Sequence, residues 1–238
     1  MRPRVALVIP TLQEAETIAA TLAEIPAGVV DEVIVADGGS TDGTRDIAAA
    51  AGASVVAAGR GFGRACLAGA SAARDADILA FMDADGADDP AFLPALIEPV
   101  RTGRADLVLA SRTRGGREAG SMAWHQVLAG HALGFGIRAL YGVALSDMCT
   151  FRVIRRDALV GLGMRELTYG WNIEMQMRAA RDGLPMLELP VAYRCRRGGA
   201  SKVAGTVRGT FTAGTRIVST FLRVASQPSR PAATGAKT

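Results

Sequence analysis

Residues 78–90 read ILAFMDADGADDP. Five apolar residues, Ile78–Met82, run straight into Asp83-Ala84-Asp85-Gly86. A short unbroken apolar run marks a strand buried on both faces, as in a parallel sheet covered by helices. Four more runs are nearly continuous in the same way: Val5–Ile9, Val33–Ala36, Ala53–Ala57 (broken by Ser54) and Leu107–Ala110. Helical patterns lie between them, at 14–25, 42–51, 64–74 and 90–101. Strand and helix alternate at about 25-residue spacing, which predicts an α/β fold with a mostly parallel sheet flanked by helices. Pro10 stops the first strand, and Thr11-Leu12-Gln13-Glu14 has the spacing of a capping box opening the first helix.

The second half is less regular. A polar, glycine-rich loop, 115–120, precedes an apolar helical stretch at 121–141 that Gly130, Gly134 and Gly136 interrupt. Residues 144–154 read as a strand followed by a turn, 155–162 and 171–182 as helices, and Met186–Tyr193 as a strand. Residues 203–225 carry Val203, Val207, Phe211, Ile217, Phe221 and Val224 with Arg208, Arg216 and Arg223 between them, the pattern of an amphipathic helix. The expected organisation is one domain over 1–202, a helical C-terminal extension over 203–226 and a disordered tail over 227–238.

Composition narrows the function. The chain has 238 residues, 49% hydrophobic and 21% charged, which excludes a disordered protein. Aromatic residues are 5%, too few for the stacking platforms of a nucleic-acid binder. No apolar run reaches membrane-spanning length, and the N-terminus lacks the pattern of a secretory signal. Cys66, Cys149 and Cys195 are far apart and odd in number, which fits a reduced, cytosolic protein without a zinc site. The net charge of +4 is unevenly spread: after Glu188 there is no acidic residue and nine basic ones, whereas the preceding part has eighteen basic against twenty-three acidic. A basic C-terminal end on a mildly acidic body points to an anionic partner.

In an open α/β sheet, ligands bind beyond the carboxyl ends of the strands. The segments that follow the strands here are unusually polar. Asp83 and Asp85, at i and i+2, can share one hard cation such as Mg²⁺ or Mn²⁺, whose other ligands would be waters and diphosphate oxygens. The alternative is that Asp85 or Asp88 turns the chain and caps the helix near Pro90. Asp37 suits a ribose hydroxyl or base N–H, or opens the turn at Gly38-Gly39, or both. Glu14 is either a site residue or the end of the capping box. Gly59–Gly63 has the outline of a dinucleotide turn, but the sixth position is Arg64 and the segment follows the third strand, not the first. Gly61 and Arg64 count among the donor-binding candidates, with Arg60 and Arg64 leaning toward a ligand diphosphate. His125 and His131, six residues apart, do not share a helix face and read as surface or packing residues. No serine-hydrolase elbow, P-loop or zincin motif is present.

Taken in order, VALVIPTLQEAETI, VADGGSTDGT, GRGFGRACLAG, FMDADGADDP and LASRTRGG resemble the family-2 glycosyltransferases of GT-A fold, most closely the dolichyl-phosphate mannose synthase-like branch that acts on polyprenyl phosphates. SDMCTFRVIRRDAL (146–159) and YRCRRGGASKVAG (193–205) also fit, so the likeness spans roughly 4–202. The resemblance implies a UDP- or GDP-sugar donor, with Pro10, Thr11, Glu14 and Asp37 on the nucleoside, Asp83 and Asp85 on Mg²⁺ or Mn²⁺, and Arg112 facing the phosphates. It implies direct displacement with inversion. A phosphate acceptor then needs no general base; a hydroxyl acceptor needs one, and Asp147 and Glu174 are the candidates. Several positions depart from the family pattern: Gln13 for the usual Asn, Gly38 for a second Asp, Ala87 for a polar residue, and His125 and His131 where relatives acting on polyprenyl phosphates often carry Arg. Tyr169-Gly170 followed by Glu174 also resembles the retaining glucosyl-3-phosphoglycerate synthases, although no His follows residue 131.

The acceptor end points to a polyprenyl phosphate or another lipid-linked acceptor and to a cytoplasmic protein, with 203–225 either peripheral on the inner face of the membrane or packed onto the domain with solvated arginines. Two other readings compete. A sugar-nucleotide pyrophosphorylase would need a glycine-rich basic loop after the first strand, and Pro10–Glu14 is acidic and lacks glycine. An inactive nucleotide-sugar sensor would not need Asp83 and Asp85.

Overall fold

A computed structural model describes residues 2–198 and 207–228. Among them the chain runs β1 (Val5–Thr11), α1 (Ile18–Ala23), β2 (Glu32–Asp37), α2 (Thr44–Ala50), β3 (Ser54–Ala57), α3 (Phe62–Ala72) and β4 (Ile78–Phe81). A 3-10 turn, Pro90–Phe92, leads into α4 (Leu93–Arg101) and β5 (Leu107–Ser111). Then come α5 (Trp124–Tyr141), β6 (Arg152–Arg155), α6 (Arg156–Leu162), α7 (Trp171–Arg181), β7 (Met186–Pro190) and α8 (Val207–Ala225).

The seven strands form one sheet in the order β3-β2-β1-β4-β6-β5-β7. Every pairing is parallel except those of β6, which is antiparallel to both β4 and β5. The strands β1, β4 and β5 are apolar and buried along almost their whole length because both faces are covered. On β1, Val5, Leu7 and Ile9 pack with Leu93, Leu96 and Ile97 of α4. The alternate residues Ala6 and Val8 pack with Cys66 and Ala70 of α3 and with Trp171 and Met175 of α7. That is the two-residue period of a strand filling two cores at once. A third cluster, Ile137, Ile173, Met177 and Val224, joins α5, α7 and α8.

Three sequence expectations are corrected. The first helix opens at Ile18, not residue 14, and Thr11 closes β1 instead of capping a helix. Its hydroxyl is taken by Asp37 at 3.2 Å across the sheet edge, so no capping box forms. The strand expected over 144–154 is only Arg152–Arg155. The segment before it is irregular because it runs against the glycines of α5. A Cβ on Gly134 would lie 2.0 Å from the Leu145 carbonyl oxygen, so the glycines that interrupt the helical pattern are what let this backbone approach. The amphipathic helix is present as α8, with Ala213, Thr220 and Val224 buried against the body. Residues 199–206 and 229–238, including most of the expected tail, lie outside the described residues.

Candidate active site

The strand order reverses between β1 and β4: β1 leads outward to β2 and β3, while β4 begins the other half of the sheet. Such a switch point opens a crevice at the carboxyl ends of the two strands. Pro10 and Thr11 end β1 there, and Asp83–Asp85 follow β4 beside them.

The loops after β1 and β2 are laced together. Gln13 N–H donates to Ser40 Oγ at 2.8 Å, Glu14 N–H to Thr44 Oγ1 at 2.9 Å, and Ala15 N–H to Asp42 at 3.1 Å. Gln13 pays for this with a left-handed backbone, φ 55°. Asn tolerates that region better than Gln, which gives a physical reason for the family's usual Asn. Asp37 is buried and accepts Gly39 N–H and Ser40 N–H on Oδ1, and Ser40 Oγ and Thr11 Oγ1 on Oδ2. Burial alone would raise its pKa, but these donors hold the carboxyl below its ordinary value. Its four acceptor positions are filled, so the turn-forming role is realised; a ribose contact requires Ser40 to give up its place.

The β4 loop gathers three carboxylates. Asp83 is half-buried and Asp85 and Asp88 are buried. Burial, and then the neighbouring Asp85 charge, push the Asp83 carboxyl up to about 7, against a hydrogen bond from Thr150. Asp85 accepts Ala87 N–H at 3.0 Å, and Asp88 accepts Asp83 N–H at 3.1 Å. The cap of the following turn is neither of these but Asp89, which accepts Ala91 N–H at 3.0 Å. Asp83 and Asp85 are thus left facing the crevice's charge problem, not committed to helix capping.

That problem is met by a residue sequence reasoning did not select. Arg196 reaches across the crevice and pairs with Asp85 Oδ2 at 2.9 Å and with Glu14 Oε1 at 3.2 Å. It joins the β1 and β4 loops directly. Its segment is fixed by backbone bonds from Arg194 N–H to Ala87 O and from Arg197 N–H to Asp85 O, both 3.0 Å. Arg194 also pairs with Asp89 at 2.7 Å and Arg197 with Glu24. The available signal was the run of basic residues in an acid-free tail.

Arg112, after β5, holds Asp147 bidentately, Nε to Oδ2 at 2.8 Å and Nη2 to Oδ1 at 2.7 Å, and adds its backbone N–H at 2.8 Å. Its guanidinium lies over the Tyr193 ring, 5.0 Å from the centroid. Burial opposes ionisation of Asp147, but the Arg112 donors outweigh it and hold the carboxyl below its usual range. Glu188 positions this segment by accepting Ser146 and Asp147 N–H groups at 2.8 and 3.2 Å. Glu174 is fully buried and accepts Arg165 and Glu166 N–H at 2.9 and 2.6 Å, with Arg178 at 3.0 Å and Arg223 at 3.1 Å. None of these partners belongs to the crevice set, so Glu174 ties α7 and α8 to the 165–166 loop.

Gly61 and Gly63 are required for packing. Cβ atoms there would lie 2.5 Å from Leu167 O and 2.4 Å from Glu166 O. Arg64 N–H bonds Leu167 O at 2.9 Å, and its exposed side chain forms no ion pair among the described residues. Two positioning groups were also missed. Thr150 donates to Asp83 and receives Asn172 Nδ2 at 3.3 Å. Arg152 is wholly buried and donates to Thr150 O at 3.1 Å and Asn172 O at 3.3 Å. His125 and His131 are exposed on α5.

The sheet order, with its carboxylate-bearing crevice at the switch point, defines an α/β protein of GT-A fold. The family model "Glycosyl transferase family 2" matches residues 6–163, so the chain belongs to that family and is a glycosyltransferase. It is 39% identical over 212 residues to an uncharacterised glycosyltransferase of Mycobacterium tuberculosis, covering 88% of this chain and 94% of that one. It is 34% identical over 220 residues to the undecaprenyl-phosphate mannosyltransferase of Micrococcus luteus, covering 87% and 90%. Glucosyl-3-phosphoglycerate synthase from M. tuberculosis, solved with Mn²⁺, UDP and glucosyl-3-phosphoglycerate, superposes with a TM-score of 0.76 at 24% identity, over 95% of this chain and 81% of that one.

Proposed function

We propose that this enzyme transfers a hexose from a UDP- or GDP-sugar to a polyprenyl phosphate, with inversion at the anomeric carbon. The observation that carries the acceptor class is the state of the two candidate bases. Asp147 and Glu174 have side chains 2% and 0% exposed, and both are engaged by arginine and backbone donors. Neither is free to take a proton from a hydroxyl. A phosphate acceptor is already an anion and needs no such base. The mannosyltransferase likeness over 87% of the chain supports the same class.

Pro10, Thr11 and Glu14 flank the crevice on one side and Asp83 and Asp85 on the other, a setting that suits a nucleoside diphosphate. Asp83 and Asp85 are the residues to hold Mg²⁺ or Mn²⁺. The donor set fits: two hard carboxylates at i and i+2, one pushed up by burial and its neighbour, on a loop already drawing a cation, Arg196, onto Asp85. When bound, the metal supplies Lewis-acid stabilisation of charge on the departing diphosphate. Arg196, on Glu14 and Asp85, stands where it can join that diphosphate once released from either carboxylate. Arg112, clamped to Asp147, presents a fixed positive charge at the end of β5. Arg64 is available to the donor from the β3 side, and Gly61 contributes through the tight seat of its loop.

A second reading, transfer to a phosphorylated three-carbon acid, has support from 41% identity to a glucosyl-3-phosphoglycerate synthase of Mycolicibacterium smegmatis over 113 residues, 41% of this chain. Incubation of labelled UDP- and GDP-hexoses with Mn²⁺ and either undecaprenyl phosphate or 3-phosphoglycerate separates them. Label in the organic phase supports the proposal. Label only on the water-soluble acid overturns it.

A further inference from the structure

Two neighbouring helices expose large apolar side chains that nothing among the described residues covers. On α5, Trp124 is 77% exposed, Leu128 60% and Phe135 74%. Their spacing of 4 and 11 residues from Trp124 puts them on one stripe. On α8, Phe211, Val218 and Leu222 are 73%, 52% and 62% exposed, again on one stripe with spacings of 7 and 11. The opposite face of each helix is buried, through Gly130, Gly134 and Ile137 on α5 and Ala213, Thr220 and Val224 on α8. The helices meet where Phe221 packs against Gly136, and the exposed Phe135 and Leu222 are the next residues along. Each stripe thus has a member next in sequence to that contact.

Charge decides what this face meets. No acidic residue occurs between Glu118 and Asp147, and none after Glu188, so neither helix carries one. Among the described side chains, the exposed charges on the two helices are Arg138 and Arg216, with Arg223 partly exposed; Arg216 shares Glu166 at 3.3 Å yet keeps 54% of its side chain exposed. A second copy of the chain would set basic groups against basic groups. An apolar stripe with Trp, Phe and Leu, beside Arg and the exposed His125 and His131 and with no acidic residue on either helix, is the pattern of a helix lying in an anionic lipid surface.

We propose that α5 and α8 together form a monotopic membrane-docking face that seats the enzyme on anionic lipid, with Trp124 and Phe135 entering the headgroup region. This rests on the polyprenyl-phosphate reading, since it would bring the crevice to the surface where such an acceptor resides. Trp fluorescence reads it directly, because the other tryptophan, Trp171, is 1% exposed. Vesicles of phosphatidylcholine with a quarter phosphatidylglycerol are expected to shift Trp124 emission to the blue and to co-sediment the protein. Pure phosphatidylcholine is expected to do so weakly. The double variant Trp124→Ser/Phe135→Ser should lose on the order of tenfold in co-sedimentation, as the removed apolar area requires. It should keep its melting temperature, both sites being exposed. Undiminished sedimentation of that variant would overturn the proposal. So would an unshifted emission with both vesicles, or a concentration-dependent dimer that buries Trp124 without lipid. Nucleotide binding in lipid-free buffer, and label transfer to undecaprenyl phosphate in detergent, test the activity independently of the face.

Discussion

Asp147→Asn isolates the role of the Arg112 clamp. The two side chains are 18% and 2% exposed, and three Arg112 hydrogen bonds of 2.7–2.8 Å converge on the one carboxylate. Removing one partner of a buried pair leaves an uncompensated charge and costs about 3–5 kcal/mol. Asn keeps the volume and one acceptor oxygen, so the expected loss is near the lower end, about 3 kcal/mol. Urea unfolding followed by the fluorescence of buried Trp171 measures it. The pH dependence has a definite sign. The folded carboxyl lies below its ordinary value, so its contribution is present above the unfolded pKa of about 3.9 and is lost as pH falls through the folded value. Wild type should therefore lose more stability than Asp147→Asn between pH 6 and pH 3. A loss under about 1 kcal/mol at pH 7, with transfer abolished, would refute the reasoning: Asp147 would be a proton acceptor, not a fixed anchor.

Three further outcomes are expected. Arg196→Ala should bind Mn²⁺ alone on the order of tenfold more tightly, as roughly 1–2 kcal/mol of like-charge repulsion at Asp85 is removed; Mn²⁺ electron paramagnetic resonance reads this, and weaker binding would contradict it. Thr150→Val should weaken Mn²⁺ binding about fivefold by removing the hydrogen bond to Asp83, about 1 kcal/mol, and unchanged affinity would show that the bond does not position the carboxylate. Gly63→Ala should lower stability by about 1–3 kcal/mol, since its Cβ would sit 2.4 Å from the Glu166 backbone oxygen; an unchanged melting temperature would show that the 166–167 loop moves freely.

Much of this architecture is legible in the residues themselves. Ile78–Met82, Val5–Ile9, Val33–Ala36 and Leu107–Ala110 become strands because a segment covered on both faces has no polar side to advertise, while Ala53–Ala57 becomes the partly exposed edge strand β3. Asp83 and Asp85 fall at the sheet edge for the same reason, since the polar residues begin where cover ends. Strand direction is not encoded in apolar runs, and β6 slots antiparallel between β4 and β5 on grounds of packing alone. The Thr11–Glu14 spacing imitates a capping box, but Thr11 is still in β1 and bonds a residue 26 positions away. Arg196 meets Asp85 across 111 residues of chain, a pairing that local pattern does not reveal. Glu174 reads as a candidate base from the sequence, which does not show its four donors, from Arg165, Glu166, Arg178 and Arg223.

The central claim is that the β4 carboxylates bind a sugar nucleotide through a divalent metal. Calorimetry with UDP, GDP, CDP and TDP, each with and without Mn²⁺, on wild type and Asp85→Ala, tests it most directly. The account predicts that one nucleotide, UDP or GDP, binds only with Mn²⁺, and that the variant abolishes this binding while remaining folded. Nucleotide binding that ignores both the metal and Asp85, or no binding of any nucleotide by folded wild type, would contradict it.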